Sequence, residues 1–282
     1  MNRFAPLRVS VALLVLAAFM VVAFPALTAS PASAAPPAPI GPAFECSDDL
    51  YVTEGGPPGG IHLYIIDKAT AELSRVQEGT PNLQINGIGF NPADNYMYGV
   101  RVAGQAPGEF QMARLDANGI QQDLGVPTGL PAGIVGGADS GTFLPDGSYL
   151  TVANINNAGD PAGPADVEVF ITIDVATNTV INVFGSHAVS SFDDFALNPV
   201  DGRIYGLNSQ VGRVQRINPN TGALTSVGPV LAAPLITGSS FFDSAGRMWM
   251  YGGQVSTEQD TLYRAEDPTQ APVAVGSGIT AR

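Results

Sequence analysis

Past residue 43 the chain alternates short apolar runs with turn-rich clusters of Pro, Asp, Asn and Gly, and shows no helical period of useful length. One ten-residue phrase recurs. "FNPADNYMYG" begins at Phe90 and "LNPVDGRIYG" at Leu197. Looser copies begin at Phe44 ("FECSDDLYVT"), at Phe143 ("FLPDGSYLTV", one residue shorter) and at Phe242 ("FDSAGRMWMY"). Each reads as a strand end, a tight turn and a second strand rich in Tyr and aliphatics. Asp146-Gly147 and Asp201-Gly202 supply the positive-φ positions that tight hairpins demand.

A second phrase lies between successive copies: "LYIIDKATAELSRVQEG", "MARLDANGIQQDLG", "FITIDVATNTVINVFG", "VQRINPNTGALTSVG" and "LYRAEDPTQAPVAVG". In each, a strand ends in Asp, Asn or Glu, a polar turn follows, and another strand closes at Gly. The column Leu63, Met112, Phe170, Val214, Leu262 is apolar throughout, whereas its neighbour column His62, Gln111, Val169, Arg213, Thr261 is mostly polar. That contrast predicts strands with one buried face and places His62 at the surface.

Two hairpins make a unit of four strands. Unit starts near 44, 90, 143, 197 and 242 are 46, 53, 54 and 45 residues apart, the blade size of a propeller. The expected fold is therefore all-β: a β-propeller of five four-stranded blades over residues 44–282, with a six-fold or incompletely closed ring as the alternative. The first unit is short of an innermost strand, because "PIGPAF" carries Pro39 and Pro42, which suit an edge better than a ladder. The tail "GSGITAR" is a candidate to pair there and latch the ring.

The leading 34 residues read as a secretory signal peptide: Arg3 and Arg8, a 16-residue apolar run from Val9 to Phe24, and Ala32-Ser33-Ala34 at the cleavage site. Residues 35–43 form a Pro-rich spacer. A secreted, extracellular protein is expected, with no membrane insertion after cleavage after Ala34. The net charge of −13, with Lys68 the lone lysine, excludes nucleic acid and anionic membranes as partners. A monomer is expected, and its partner is an extracellular ligand or protein that the sequence does not specify. Cys46 has no second cysteine to pair with and reads as a small core or turn residue. Trp249 reads as packing between blades.

The pattern "DFALNPVDGRIYGLN" followed by "VQRINPNTGALTSVG" resembles an uncharacterised family of exported bacterial propeller-like repeat domains, with units of the form FxxNPxDGxLYG and LYxIDxxTGxxTxVG. It is more distantly similar to NHL and YWTD-type propellers and to lactonase and lyase propellers. The resemblance implies a fold and an exported location. It implies no reaction, since the shared residues build turns and strands. It also implies binding on the face that carries the loops leading into each innermost strand. There the chain spends extra length, in "RVAGQAPGEF" and "ANINNAGDPAGPADVEV".

Asn86, Asp139 and Asp193 each stand four residues before a phrase, with Asp194 beside the last. Aimed at one mouth, their oxygens would suit a hard cation such as Ca²⁺; turned to local backbone, they would cap turns. Asn154, Asn156, Asn157, Asp160 and Asp166 offer oxygens without a calcium-loop spacing. His187, six residues before Asp193, is the weak candidate for a catalytic base. Zinc is not indicated by one cysteine and two histidines in different repeats. The reading favoured is a secreted or cell-envelope binding module on a non-catalytic scaffold. The alternative is a lactonase- or lyase-like enzyme at the channel mouth, with or without a metal.

Overall fold

The computed structural model describes residues 41–56, 60–77, 83, 85–101, 110–136, 140–156, 167–187, 193–231, 235–254 and 260–277. These form five antiparallel sheets and no helix. Blade 1 holds β1 (Leu50–Gly56), β2 (Gly60–Ile66) and β3 (Leu73–Arg75). Blade 2 holds β4 (Ile85–Asn91), β5 (Tyr96–Arg101), β6 (Gln111–Leu115) and β7 (Gln121–Gly125). In blade 3 the innermost strand is split into β8 (Ile134–Gly136) and β9 (Gly141–Phe143), both paired with β10 (Tyr149–Ile155). Outside β10 lie β11 (Val167–Asp174) and β12 (Thr179–His187).

Blade 4 runs β13 (Asp194–Leu197), β14 (Ile204–Asn208), β15 (Arg213–Ile217) and β16 (Leu224–Ser226). Blade 5 runs β17 (Leu235–Phe242), β18 (Met248–Gln254), β19 (Asp260–Ala265) and β20 (Val273–Ser277).

The repeated phrases are turn devices. Asn95, Gly147, Gly202 and Gly246 all have positive φ at the same place in the first hairpin of their blades. Asn91, Asn198 and Asp243 each accept the backbone N–H two residues on, which closes the turn from its leading side. In blades 2 and 4 the turn aspartate also accepts the hydroxyl of the Tyr four residues later, Tyr98 to Asp94 and Tyr205 to Asp201, both at 2.6 Å. The second phrase works likewise: Asp67, Asp116, Asp174, Asn218 and Asp267 each accept the N–H of residue i+2.

Closure is by packing. Five apolar clusters each join two neighbouring blades: 1 with 2, 2 with 3, 3 with 4, 4 with 5, and 5 with 1. At the last seam Trp249, Tyr251 and Leu262 meet Leu50, Val52 and Tyr64. The Ser244 hydroxyl adds a bond to Asp48 Oδ2 at 3.2 Å. Trp249 therefore packs between blades, as expected. The ring has five blades and, among the described residues, closes without a sheet shared between the two ends.

Second and third strands are covered on both faces, since each blade has a neighbour on either side. Every described residue of β14 is buried, as are all but the ends of β11. This corrects the one-faced expectation, and His62 with it. His62 is buried, and the Arg75 guanidinium donates to its Nδ1 at 2.7 Å. The apolar column is buried as expected, at 2 % exposure or less from Leu63 to Leu262.

Blade 1 holds three strands among the described residues, in keeping with the innermost strand that its sequence does not supply upstream. Among the described residues no strand lies inside β1. Gly41 to Phe44 instead run along blade 2: Tyr96 donates its hydroxyl to the Gly41 carbonyl at 2.7 Å, Ala117 N–H bonds to the Pro42 carbonyl, and Phe44 N–H to that of Asn95. Pro42 has no N–H to give a ladder, and it offers its carbonyl to blade 2 instead. Gly276 and Ser277, the start of the proposed latch, belong to the outermost strand of blade 5; residues 278–282 lie outside the described set.

Candidate functional site: the central channel

The innermost strands converge on a channel of about 730 Å³ that runs from their leading ends to the first-hairpin turns. Their approach is close. Gly141 of β9 sits so near the Gly87 carbonyl and the Tyr149 hydroxyl that a Cβ there would overlap both. The Tyr149 hydroxyl donates to that same carbonyl, tying blade 3 to blade 2. Between blades 3 and 4 the Leu197 N–H bonds to Thr142 Oγ1 at 3.2 Å.

Blades 4 and 5 are tied by the paired aspartates. Asp193 accepts the Ser209 hydroxyl at 2.7 Å and the Thr237 N–H at 3.4 Å. Asp194 accepts the N–H of Ser240 at 2.6 Å and that of Phe195 at 2.8 Å. Both carboxylates thus accept backbone N–H groups, but those of Thr237 and Ser240 belong to the next blade, and only that of Phe195 is local. Burial in the wall pushes the Asp194 carboxyl well above the ordinary range; the two N–H bonds pull it back, and the Asp193 charge adds to the rise.

Of the four residues advanced as cation ligands, Asn86 and Asp194 line the channel. Asp193 is turned sideways to Ser209 and Thr237, and Asp139 lies outside the described residues. Among the described residues, no three His, Cys, Asp or Glu side chains come together as a metal site. In the other oxygen-rich group, Asn154 lies in β10 next to its last residue, Asn156 is buried, and Asn157, Asp160 and Asp166 lie outside the described residues, as do positions 102–109 of the first long loop.

His187 ends the outer strand β12, paired in register with Glu168. It is not among the residues lining the channel. Its ring meets the edge of Phe170 at 5.5 Å, and burial lowers its basicity, partly offset by a bond involving the Gly222 backbone.

The chemistry that sequence reasoning missed comes from blade 1. Glu45, Cys46, Ser47 and Asp49 line the channel where an innermost strand would stand. Cys46 is exposed rather than in the core. Ser47 donates to Asp49 at 2.8 Å, and the Tyr51 hydroxyl is made less acidic by burial and by the Asp49 charge. The charged side chains of the described lining are Glu45, Asp49, Asp146 and Asp194, with no Lys, Arg or His among them. Phe44, Tyr51, Phe90, Phe143, Phe241 and Phe242 supply aromatic wall.

The model of a family described as "Repeat of unknown function (DUF6923)" matches residues 45–270. No curated protein sequence matches the chain. Among solved structures, similarity is found to a gluconolactonase from Xanthomonas campestris, at 12% identity and a TM-score of 0.48, covering 76% of this chain and 67% of that one. TolB from Acinetobacter baumannii aligns at 14% identity and a TM-score of 0.45, over 82% of this chain and 54% of that one. Virginiamycin B lyase from Staphylococcus aureus aligns at 12% and 0.43, over 80% and 69%. The fold itself rests on the five sheets and the five seams between them.

Proposed function

Since the chain belongs to the DUF6923 family, a repeat of unknown function, we propose its role from the channel alone: an exported, non-catalytic binding module that takes a neutral or cationic ligand. The observation that supports this is the lining itself, the carboxylates of Glu45, Asp49 and Asp146 set among aromatic rings with no basic side chain in the described wall. Carboxylates on low-dielectric walls focus a negative field along a channel, and aromatic faces add attraction for a cation as they cover its apolar part. The cavity is of a size that encloses a small organic molecule. Bond cleavage would call for positioned proton donors and acceptors with an electrophile, and the described wall supplies neither imidazole nor guanidinium. The leader read from the sequence would carry the module out of the cell.

One observation favours the enzymatic alternative. Asp194 is held as a weaker acid than an ordinary carboxyl, the state in which a carboxyl serves as a general acid.

Calorimetric titration with benzyltrimethylammonium, and with benzenesulfonate as its anionic counterpart, tests the main reading. Saturable binding of the cation is expected at low salt, roughly tenfold or more tighter than the sulfonate and weakening as ionic strength rises. Equal binding of both, or none of either, would overturn it.

A further inference from the structure

We propose that the channel side of blade 1 is a strand-binding slot, filled by an extended basic and apolar peptide that pairs with β1 and completes the blade; this rests on the cation-binding reading above. The innermost strands of the other blades line the axis, whereas in blade 1 the wall is β1, a second strand. It therefore stands one strand spacing, about 4.8 Å, further out.

The edge of β1 that faces this space turns backbone N–H and C=O groups toward it at fixed positions. Val76 N–H bonds to the Leu63 carbonyl, so Leu63 turns its backbone to β3. Thr53, opposite Leu63, therefore turns its own N–H and C=O away from β2, and Tyr51 follows with the same parity. Among the described residues no strand pairs with that edge.

The flanks bear apolar side chains that are left partly exposed. Blades 3 and 4 have innermost neighbours on both sides, and all of β9 and the centre of β13 are buried. The strands bordering blade 1 are not so covered. On β4, Ile88 reaches the seam between blades 1 and 2, while Phe90, on the same face, is 38 % exposed. On β17, Phe241 faces the blade 5 to blade 1 seam and is half-buried. Two apolar flanks and a hydrogen-bonding floor are what strand addition uses.

Charge complementarity selects the occupant. A peptide antiparallel to β1, as β4 and β17 are to their own second strands, would bring its C-terminal residues to Glu45 and Asp49. Lysines are expected there, with aliphatic residues between Phe90 and Phe241. The chain's own spacer is ill suited to the slot, since Pro36, Pro37 and Pro39 cannot donate to a ladder.

The test uses a fluorescein-labelled, amidated peptide, Ser-Val-Thr-Ile-Val-Lys-Lys, followed by fluorescence anisotropy. Saturable, salt-weakened binding is expected. N-methylation of one alternate set of its amides should weaken binding about tenfold or more, because those N–H groups face β1, and methylation of the other set should change it little. Phe90→Ala, at an exposed flank, should weaken the peptide several-fold with unaltered circular dichroism. Binding insensitive to either methylation pattern would overturn strand addition and leave the cation reading standing. So would binding of benzyltrimethylammonium without the peptide. Failure of both probes would remove both proposals.

Discussion

Phe170→Ala is expected to lower unfolding stability by about 3–5 kcal/mol, the largest effect of any single truncation considered for this fold. Phe170 is completely buried and lies on the third strand of blade 3. Its ring stacks on Phe184 at 5.7 Å, tilts against Phe195 of blade 4 at 6.0 Å, and takes His187 on its edge. It therefore belongs both to its own blade and to the seam with the next. Removing it opens a cavity in a seam whose walls are strands fixed by their ladders, so little collapse can fill it. Urea unfolding should show the loss as a lowered midpoint, and a thermal melt as a drop of roughly 10 °C. A loss under about 1 kcal/mol would mean that the seam between blades 3 and 4 is not packed as described.

Asp243→Ala is expected to cost about 2–4 kcal/mol near neutral pH, through a different mechanism. Asp243 accepts the indole N–H of Trp249 at 2.9 Å, the guanidinium of Arg247 at 2.7 Å, and the backbone N–H groups of Ala245 and Arg247. Truncation leaves the buried indole donor unsatisfied and loosens the first hairpin of blade 5, which forms the closing seam. Burial alone would raise the Asp243 carboxyl; the Trp249 and Arg247 donors outweigh it and hold the group below the ordinary range. With a folded pKa below the unfolded one, the native protein gains stability from this group above the unfolded value, about 3.9, and loses it as pH falls through the folded value. The gap between native protein and variant should accordingly be full at neutral pH and narrow on acidification. A gap that stays constant to pH 2 would assign the effect to side-chain volume rather than to the ionised carboxylate.

Much of this architecture was legible because its turns are written in short-range chemistry. The bonds from Asn91, Asn198 and Asp243 to residue i+2, and from Asp94 and Asp201 to the following Tyr, span four residues or fewer, so the phrase and its structure coincide. What escaped depends on distant partners. Asp193 meets Thr237 across 44 residues, and no local pattern announces that its carboxylate turns to the next blade. His62 sits in a column that looks solvated, yet a propeller covers both faces of its inner strands. His187 reads as a loop residue leading to the channel because β12 runs nine residues, whereas β16 has three and β7 five.

The first unit misled in a more instructive way. "FECSDDLYVT" aligns with the other phrases, and Leu50 onward does form the second strand of a blade. Nothing in the phrase shows that Gly41 to Phe44 leave for blade 2 and bring Glu45 and Asp49 to the channel wall. Pro42 was the available signal, and it marked an unfit inner strand correctly without saying where the segment went.

Amide hydrogen exchange along β1 in the native protein most directly tests the central claim, a five-blade ring in whose first blade no strand lies inside β1 among the described residues. Val52 and Glu54, paired toward Tyr64 and His62, should be protected, while Tyr51 and Thr53, whose N–H groups face the slot, should exchange far faster. Protection of all four alike would contradict the account, because a fourth strand would then already fill the blade.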